Sequence, residues 1–184
     1  IAVDGFSGAT PLGLLAATVE SGQSAVGALA EYGNTYSLSN LFMGFHPGSI
    51  GETSILMILL GAVILIATGV GSWRIILSGF VGAYAMAGLM YLIGANPYFA
   101  MDPLYHLLIG GLAFGVVFMA TDPVTASQTN TGKWIYGTLI GVLTIIIRVL
   151  NPAYPEGIML AILFMNVFAP LIDYYVVGAN KKRR

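Results

Sequence analysis

Segment 4–12, which reads DGFSGATPL, contains the residues best suited to chemistry. The hydroxyl of Thr10 follows two very small residues, so a bulky group can approach it closely. Pro11 suits the first position of a helix, and Thr10 before it is an acceptable N-cap. The unpaired N–H groups and the dipole of such a helix favour an anion, so a phosphate joined to Thr10 would be stabilised without Lys or Arg. On spacing alone, a simple helix cap is the commoner explanation of this pattern.

Asp173 is a carboxylate within the last long apolar run, between Ile172 and Tyr174. An ionised carboxylate at membrane depth costs about 2.5–3.5 kcal/mol, so this one should face a partner, water or a cation. Asn166 lies two helical turns earlier on the same face and could add an oxygen ligand. The basic tail begins only a few residues later, so an aspartate solvated at the membrane surface explains the position equally well.

Asp122 and Glu52 lie at the ends of apolar runs. Asp122 precedes Pro123, and Thr125 follows two residues later. A turn or helix cap explains this pattern more simply than a cation site does. Glu52 opens the first run, where the helix dipole favours a carboxylate, so we expect it to cap that helix.

Arg148 is a charged residue near the end of the fourth apolar run. Three roles would explain a charge at this position. It could pair with Glu156 across the following connection, approach a phosphate, or extend its charge to the membrane surface. We expect His106, beside Tyr105, to lie at the membrane interface.

The composition indicates that lipid is the solvent for most of the chain. Of its 184 residues, 57% are hydrophobic and 8% are charged, and the mean hydropathy is +0.85. Soluble domains have about 25% charged residues, which are needed to cover a surface that faces water. The 7 basic residues and the net charge of −1 exclude a nucleic-acid-binding protein. Because there is no cysteine, the chain has no disulfide, thiolate-held metal centre or cysteine nucleophile.

Five long apolar runs predict an all-α membrane protein with about five transmembrane helices. A bilayer core of about 30 Å needs roughly 20 helical residues, and about 17 is near the lower limit. The apolar positions do not alternate, which argues against barrel strands. We expect a break in the second run near Asn96, which precedes Pro97. The runs cover residues 53–73, 75–101, 104–120, 134–150 and 157–177.

The basic residues predict the orientation in the membrane. Residues 179–184 include four basic residues and place the C-terminus in the cytoplasm. Counting back across five helices places Arg74 and Lys133 on the cytoplasmic side as well. The chain then divides into an outer-face segment 1–52, a five-helix transmembrane domain 53–178 and a cytoplasmic basic tail 179–184.

Two glycine pairs have helical spacing, Gly111 with Gly115 and Gly137 with Gly141. Glycines at this spacing let two helix backbones approach closely. We expect these pairs to pack helices together rather than to bind a ligand.

The chain resembles the NqrB proteins of the sodium-translocating NADH:quinone oxidoreductases and the RnfD proteins of the related Rnf complexes. The motif SGAT at residues 7–10 matches the S(T)GAT flavinylation motif of that family. The runs TNTGKW and NPAYPEG look more like NqrB than like RnfD. The blocks that carry the resemblance further are PGSIGETS (47–54), SWRII (72–76), FMATDPV (118–124), TNTGKW (129–134), NPAYPEG (151–157) and FAPLID (168–173).

The resemblance implies a covalent cofactor on Thr10. In that family, a separate flavin transferase attaches FMN through a phosphoester bond to the last threonine of the motif. The transferase works outside the cytoplasm in bacteria, which agrees with the outer placement of segment 1–52. The further candidates for cofactor binding are Asp4, Ser7, Gly8 and Ala9.

The resemblance also implies a fold and an ion. The family fold is similar to urea-transporter-like proteins, with two inverted repeats of five helices. This chain would be the second repeat, and its start at Ile1 rather than Met agrees with a fragment. The quinone site and part of a riboflavin pocket are expected in the missing half. Acidic residues implicated in sodium uptake match Asp173 and Asp122, which makes them candidates for ion binding.

The implied function is that of a flavin-carrying subunit of a respiratory sodium-pumping NADH:ubiquinone oxidoreductase in the bacterial inner membrane. It would relay electrons from a flavin-carrying neighbouring subunit on the outer face toward riboflavin and ubiquinone, coupled to sodium translocation. No residue of this chain is expected to be catalytic. The alternatives are an RnfD-type electron-transport protein and a passive solute channel, which the transporter-like fold alone would permit. A channel would not need the hydroxyl of Thr10.

Overall fold

A computed structural model of the chain describes residues 10–13, 15, 33–94, 101–151 and 156–182. The regular structure of these residues is helical. These residues contain no strand, so the predicted all-α class is confirmed. Residues 11–13 and 15 are helical, and a 3-10 turn spans Gly33–Tyr36. The further helices are α1 (Leu38–Met43), α2 (Ile55–Ala67), α3 (Trp73–Ile93), α4 (Pro103–Leu108), α5 (Leu112–Phe114), α6 (Asn130–Leu150) and α7 (Ile158–Lys182), with a π-helical turn at Gly115–Met119 after α5.

Among the described residues, three helices are long and apolar enough to cross a membrane: α3, α6 and α7. Helix α2 has 13 residues, or about 20 Å at 1.5 Å per residue, which is shorter than a bilayer core of about 30 Å. The third apolar run is broken, because α4 ends at Leu108 and α5 begins at Leu112. Each of the five predicted runs contains helix in its described residues. The break expected near Asn96 lies outside the described residues.

Helices α3 and α6 pack together through glycines. A Cβ atom on Gly141 would lie 2.5 Å from the backbone nitrogen of Ala83, and one on Gly137 would lie 2.7 Å from the carbonyl oxygen of Ile75. Such distances leave no room for a side chain. Gly115 in the same way faces Ile158 of α7. The predicted packing role of these three glycines is therefore confirmed.

The bundle has two distinguishable ends. The rings of Trp73 and Trp134 meet edge to face with centroids 5.8 Å apart, so the parallel helices α3 and α6 begin at the same level. Helix α7 runs the opposite way, since Asp173 in its C-terminal half binds the residues just before α6. We call the level of Trp73 and Trp134 the tryptophan end. The opposite end, where Thr10 and Glu156 lie, is called the threonine end.

Candidate functional site

Thr10 caps the helix that begins at Pro11. Its Oγ1 accepts a hydrogen bond from the backbone N–H of Gly13 at 3.2 Å, and Leu12 and Leu15 are buried. The predicted helix start and cap are thus confirmed for the residues that the structure describes. The other candidates for cofactor binding lie outside those residues: Asp4, Ser7, Gly8 and Ala9.

Thr10 borders a cavity of about 90 Å³ at the threonine end. The cavity is large enough to hold water next to the Thr10 hydroxyl. The lining consists of Thr10, Pro11, Leu12, His46, Gly48, Ser49, Glu52, Thr53, Gly110 and Glu156.

The third apolar run is broken at Gly110 and Gly111, and Gly110 contacts the segment that begins at Thr10. Gly110 has a φ of +73°, a left-handed conformation that favours glycine. The side chain of Leu12 occupies the space where a Cβ of Gly110 would lie. The backbone N–H of Gly111 donates to a carboxylate oxygen of Glu156. The break thus connects the Thr10 segment to the residues that join α6 and α7.

Arg148 binds the broken run from within the bundle. It is 0% exposed, and its Nη1 donates to the carbonyl oxygen of His106 at 2.7 Å. That carbonyl belongs to the last turn of α4, where helical carbonyls lack partners within the helix. The explanation that Arg148 extends to the membrane surface is therefore wrong. His106 itself is 1% exposed, so its side chain lies inside the protein.

Glu156 is a largely buried acidic group of the cavity. Burial raises the pKa of its carboxyl above the ordinary value, while the charge of Arg148 and the N–H of Gly111 act in the opposite direction. The neighbouring carboxylate of Glu52 raises this pKa further. At the same cavity, burial lowers the pKa of His46, which favours the neutral imidazole.

Glu52 does not cap the first apolar helix, contrary to the expectation from its position. Ser54 is the N-cap of α2, and its hydroxyl accepts from the backbone N–H of Met57 at 3.4 Å. Glu52 instead borders the cavity and faces Gly111. Sequence reasoning missed this contact because it joins two segments that are far apart in the chain.

Asp173 lies at the tryptophan end, where the connection before α6 surrounds its carboxylate. It accepts hydrogen bonds from the hydroxyls of Ser127 at 2.6 Å and Thr129 at 2.6 Å. The backbone N–H groups of Gln128 at 2.7 Å and Thr129 at 3.0 Å also donate to it. The partner that this carboxylate requires is thus a loop of the same chain, which the sequence pattern did not identify.

Asn166 does not join Asp173 in one group of oxygen ligands. Its Oδ1 accepts a hydrogen bond from the hydroxyl of Tyr136 at 2.5 Å. Two helical turns separate Asn166 from Asp173, which is about 10 Å along the helix axis. The two side chains both face α6 but make separate contacts with it.

Asp122 forms a turn at the tryptophan end, as predicted. Its carboxylate accepts from the backbone N–H of Thr125 at 3.0 Å and from the hydroxyl of the same residue at 2.7 Å. These hydrogen bonds lower the pKa of Asp122 below its usual value. Within the described residues, no group of three or more His, Cys, Asp or Glu side chains is placed to hold a metal ion.

Comparison with known proteins identifies relatives along the whole chain. Residues 1–182 match the model of the NQR2, RnfD, RnfE family. Proteins named as the B subunit of a Na(+)-translocating NADH-quinone reductase are 54% identical over 100% of this chain in Chromohalobacter salexigens and 56% identical over 98% in Yersinia pestis. A third, from Azotobacter vinelandii, is 53% identical over 100% of the chain. The chain spans 43–44% of the length of these relatives. It belongs to the NQR2, RnfD, RnfE family.

Proposed function

We propose that this chain is the flavin-carrying membrane part of a respiratory sodium-pumping NADH:quinone oxidoreductase. The observation that carries the proposal is the identity of 53–56% with proteins named as the B subunit of such a reductase, over 98–100% of the chain. The alternative is an RnfD-type electron-transport protein, since the family model includes both kinds of protein. Identifying the other subunits that purify together with the chain would distinguish these two functions.

Thr10 is the residue to which we assign covalent FMN. Its hydroxyl lies at the start of a helix, where N–H groups and the helix dipole stabilise a phosphate. The described residues that line the adjacent cavity include neither Lys nor Arg, so the N–H groups of the helix start are the positive groups next to the Thr10 hydroxyl. When bound, FMN supplies one-electron transfer between a flavin-carrying neighbouring subunit and the riboflavin and ubiquinone of the complex.

The threonine end is assigned to the outer face of the bacterial inner membrane and the tryptophan end to the cytoplasmic face. The geometry supports this assignment because Thr10 and the basic C-terminal end of α7 lie at opposite ends of the bundle. Arg74 stacks on Trp73, 5.0 Å from the ring centroid, so a basic side chain also lies at the tryptophan end. Basic residues favour the cytoplasmic side. A flavin transferase outside the cytoplasm would then reach Thr10.

Sodium is the ion that we assign to this protein, with Asp173 and Asp122 as the candidate binding residues. Both carboxylates lie at the tryptophan end, which the proposed orientation places toward the cytoplasm. Carboxylate oxygens are suitable ligands for a hard cation. A passive solute channel remains the less favoured function, since it would explain neither Thr10 nor the names of the relatives.

The flavin assignment is tested by expressing the full-length protein in its complex, together with a flavin transferase. We expect the denatured protein to fluoresce on a gel and Thr10→Val to abolish the signal, because valine has a similar shape and no hydroxyl. Thr18→Val is the matched control within the same segment and should retain the fluorescence. Fluorescence that persists in Thr10→Val would refute the assignment to Thr10.

A further inference from the structure

Glu156 connects three separate parts of the threonine end. It follows α6, precedes α7 and borders the cavity that Thr10 also lines. Its carboxylate accepts the N–H of Gly111 in the break between α4 and α5. Its two oxygens also lie 3.0 and 3.1 Å from the position that a Cβ of Gly110 would take. The carboxylate therefore packs directly against the backbone of the break.

The break needs partners from outside its own helix. Where a helix is interrupted within an apolar run, its freed backbone groups require hydrogen bonds from neighbouring protein. At this break the N–H of Gly111 is bound by Glu156, and the carbonyl of His106 is bound by Arg148. One partner belongs to α6 and the other to the connection between α6 and α7, so both contacts hold the break from outside its own helices.

The break in turn supports the segment that begins at Thr10. Leu12 is buried, and its side chain lies against Gly110 in the space that a side chain there would fill. Leu12 is two residues from Thr10, and the cap formed by the Thr10 hydroxyl orients this turn. A movement of Gly110 would therefore displace the residue that bears the attachment hydroxyl.

We propose that Glu156 is the positioning residue for Thr10, because its carboxylate holds the backbone break on which the Thr10 segment packs. This inference rests on the proposed attachment of FMN to Thr10. The titratable and charged groups at Glu156 are Arg148 from α6, and Glu52 and His46 from the segment before α2. An ionised carboxylate is a stronger acceptor for the Gly111 N–H than a protonated one. Burial raises the pKa of Glu156, so the strength of this contact changes at a higher pH than for an ordinary glutamate.

Hydrogen–deuterium exchange on the purified complex tests the contact without reference to flavin. In Glu156→Ala, we expect the amide of Gly111 to exchange about tenfold faster or more, since a hydrogen bond to a charged acceptor is lost. Peptides that cover residues 10–16 should also exchange faster. Glu156→Gln retains an acceptor oxygen and should restore most of the protection. Asp102→Asn, which alters the exposed cap of α4, is the control and should leave both regions unchanged.

The pH dependence of hydrogen-exchange protection at Gly111 distinguishes a positioning role of Glu156 from a general loss of structure. After correction for intrinsic exchange, protection at Gly111 should fall in the wild type as pH falls through the raised pKa of Glu156, and it should be flat in Glu156→Gln. In-gel flavin fluorescence should fall at least several-fold in Glu156→Ala and recover partly in Glu156→Gln.

The inference is overturned if Glu156→Ala leaves residues 10–16 unchanged, or changes them without any loss of flavin. It is also overturned if Glu156→Gln behaves like Glu156→Ala. A failure of the flavin assignment would look different, because wild-type protein would then lack fluorescence while Gly111 stayed protected. Thr10→Val is expected to lose flavin and to keep the protection of Gly111.

Discussion

The carboxylate of Asp173 accepts both the hydroxyl and the backbone N–H of Thr129, which is the N-cap residue of α6. Thr129 in turn accepts the N–H of Gly132 at 3.1 Å. Helix α7 is thereby attached to the start of α6 through charge-assisted hydrogen bonds, which are stronger than those between neutral groups. An ion that binds Asp173 would have to share or displace these hydrogen bonds.

Replacing Asp173 with alanine is expected to raise the sodium concentration for half-maximal turnover of the complex, while the flavin content stays the same. It should also destabilise the protein by about 1.5–3 kcal/mol, since hydrogen bonds to a charged acceptor are lost. Steady-state turnover against sodium concentration measures the first effect, and thermal unfolding measures the second.

Ser127→Ala is the matched control for Asp173, because it removes one donor and leaves the carboxylate. We expect an unchanged sodium dependence in this variant. An equal shift in Ser127→Ala and Asp173→Ala would assign the effect to the loop rather than to an ion ligand. An unchanged sodium dependence in Asp173→Ala would leave the residue with a purely structural role.

The approach of α3 to α6 predicts opposite effects for two glycine-to-alanine substitutions. A methyl group on Gly141 would meet the backbone of Gly79 and Ala83, whereas one on Gly88 would meet nothing within 4 Å. Gly141→Ala should therefore cost about 1–3 kcal/mol or more from overpacking. Gly88→Ala should stabilise α3 by up to about 1 kcal/mol, since alanine is the better helix former. Thermal midpoints of the two variants in the same detergent compare these effects, and equal midpoints would contradict the close packing.

The turn at Asp122 predicts a dependence of stability on acid. Hydrogen bonds from Thr125 lower the pKa of the Asp122 carboxyl in the folded protein. The turn is therefore stabilised above the ordinary aspartate pKa of about 4, and this stabilisation is lost as pH falls through the lower folded value. Thr125→Val should have a lower thermal midpoint than the wild type near neutral pH, and the difference should shrink in acid. A difference that stays constant with pH would exclude the contribution of the carboxylate.

The hydrogen bond between Tyr136 and Asn166 predicts a coupled pair inside the α6–α7 contact. Tyr136 is buried, so Tyr136→Phe should cost about 1 kcal/mol or more by removing the donor for the amide oxygen. Asn166→Leu should cost a similar amount by leaving the tyrosine hydroxyl without its acceptor. The double variant should cost less than the sum of the two, because the lost bond is counted twice. Additive changes in the free energy of unfolding would show that the bond contributes nothing.

The class of the protein could be predicted from the sequence because it depends on composition and local pattern. Long uncharged runs can be accommodated only by lipid or a core, and backbone groups in lipid require helix or barrel. Thr10 and Pro11 could be identified as a helix start because capping involves residues three positions apart. Gly137 and Gly141 could be assigned to helix packing by spacing alone.

The remaining features depended on contacts between distant segments, which no local pattern encodes. Glu52 was expected to cap α2 because it opens an apolar run, but the fold turns it toward Gly111 and leaves the cap to Ser54. An ionised carboxylate in an apolar run needs a partner, so the sequence predicted that Asp173 would have one. Only the fold determines that Thr129 is that partner.

The sequence by itself determined that the chain is helical, that it belongs in a membrane and that Thr10 begins a helix. Only the tertiary structure decided that the third run is interrupted. It also decided that Arg148 and Glu156 bind the backbone groups that the break leaves without partners in their own helix. The reason is physical: hydropathy measures the average cost of placing a segment in lipid. Whether a helix can be interrupted there depends on which charged side chains other helices bring to its free N–H and carbonyl groups.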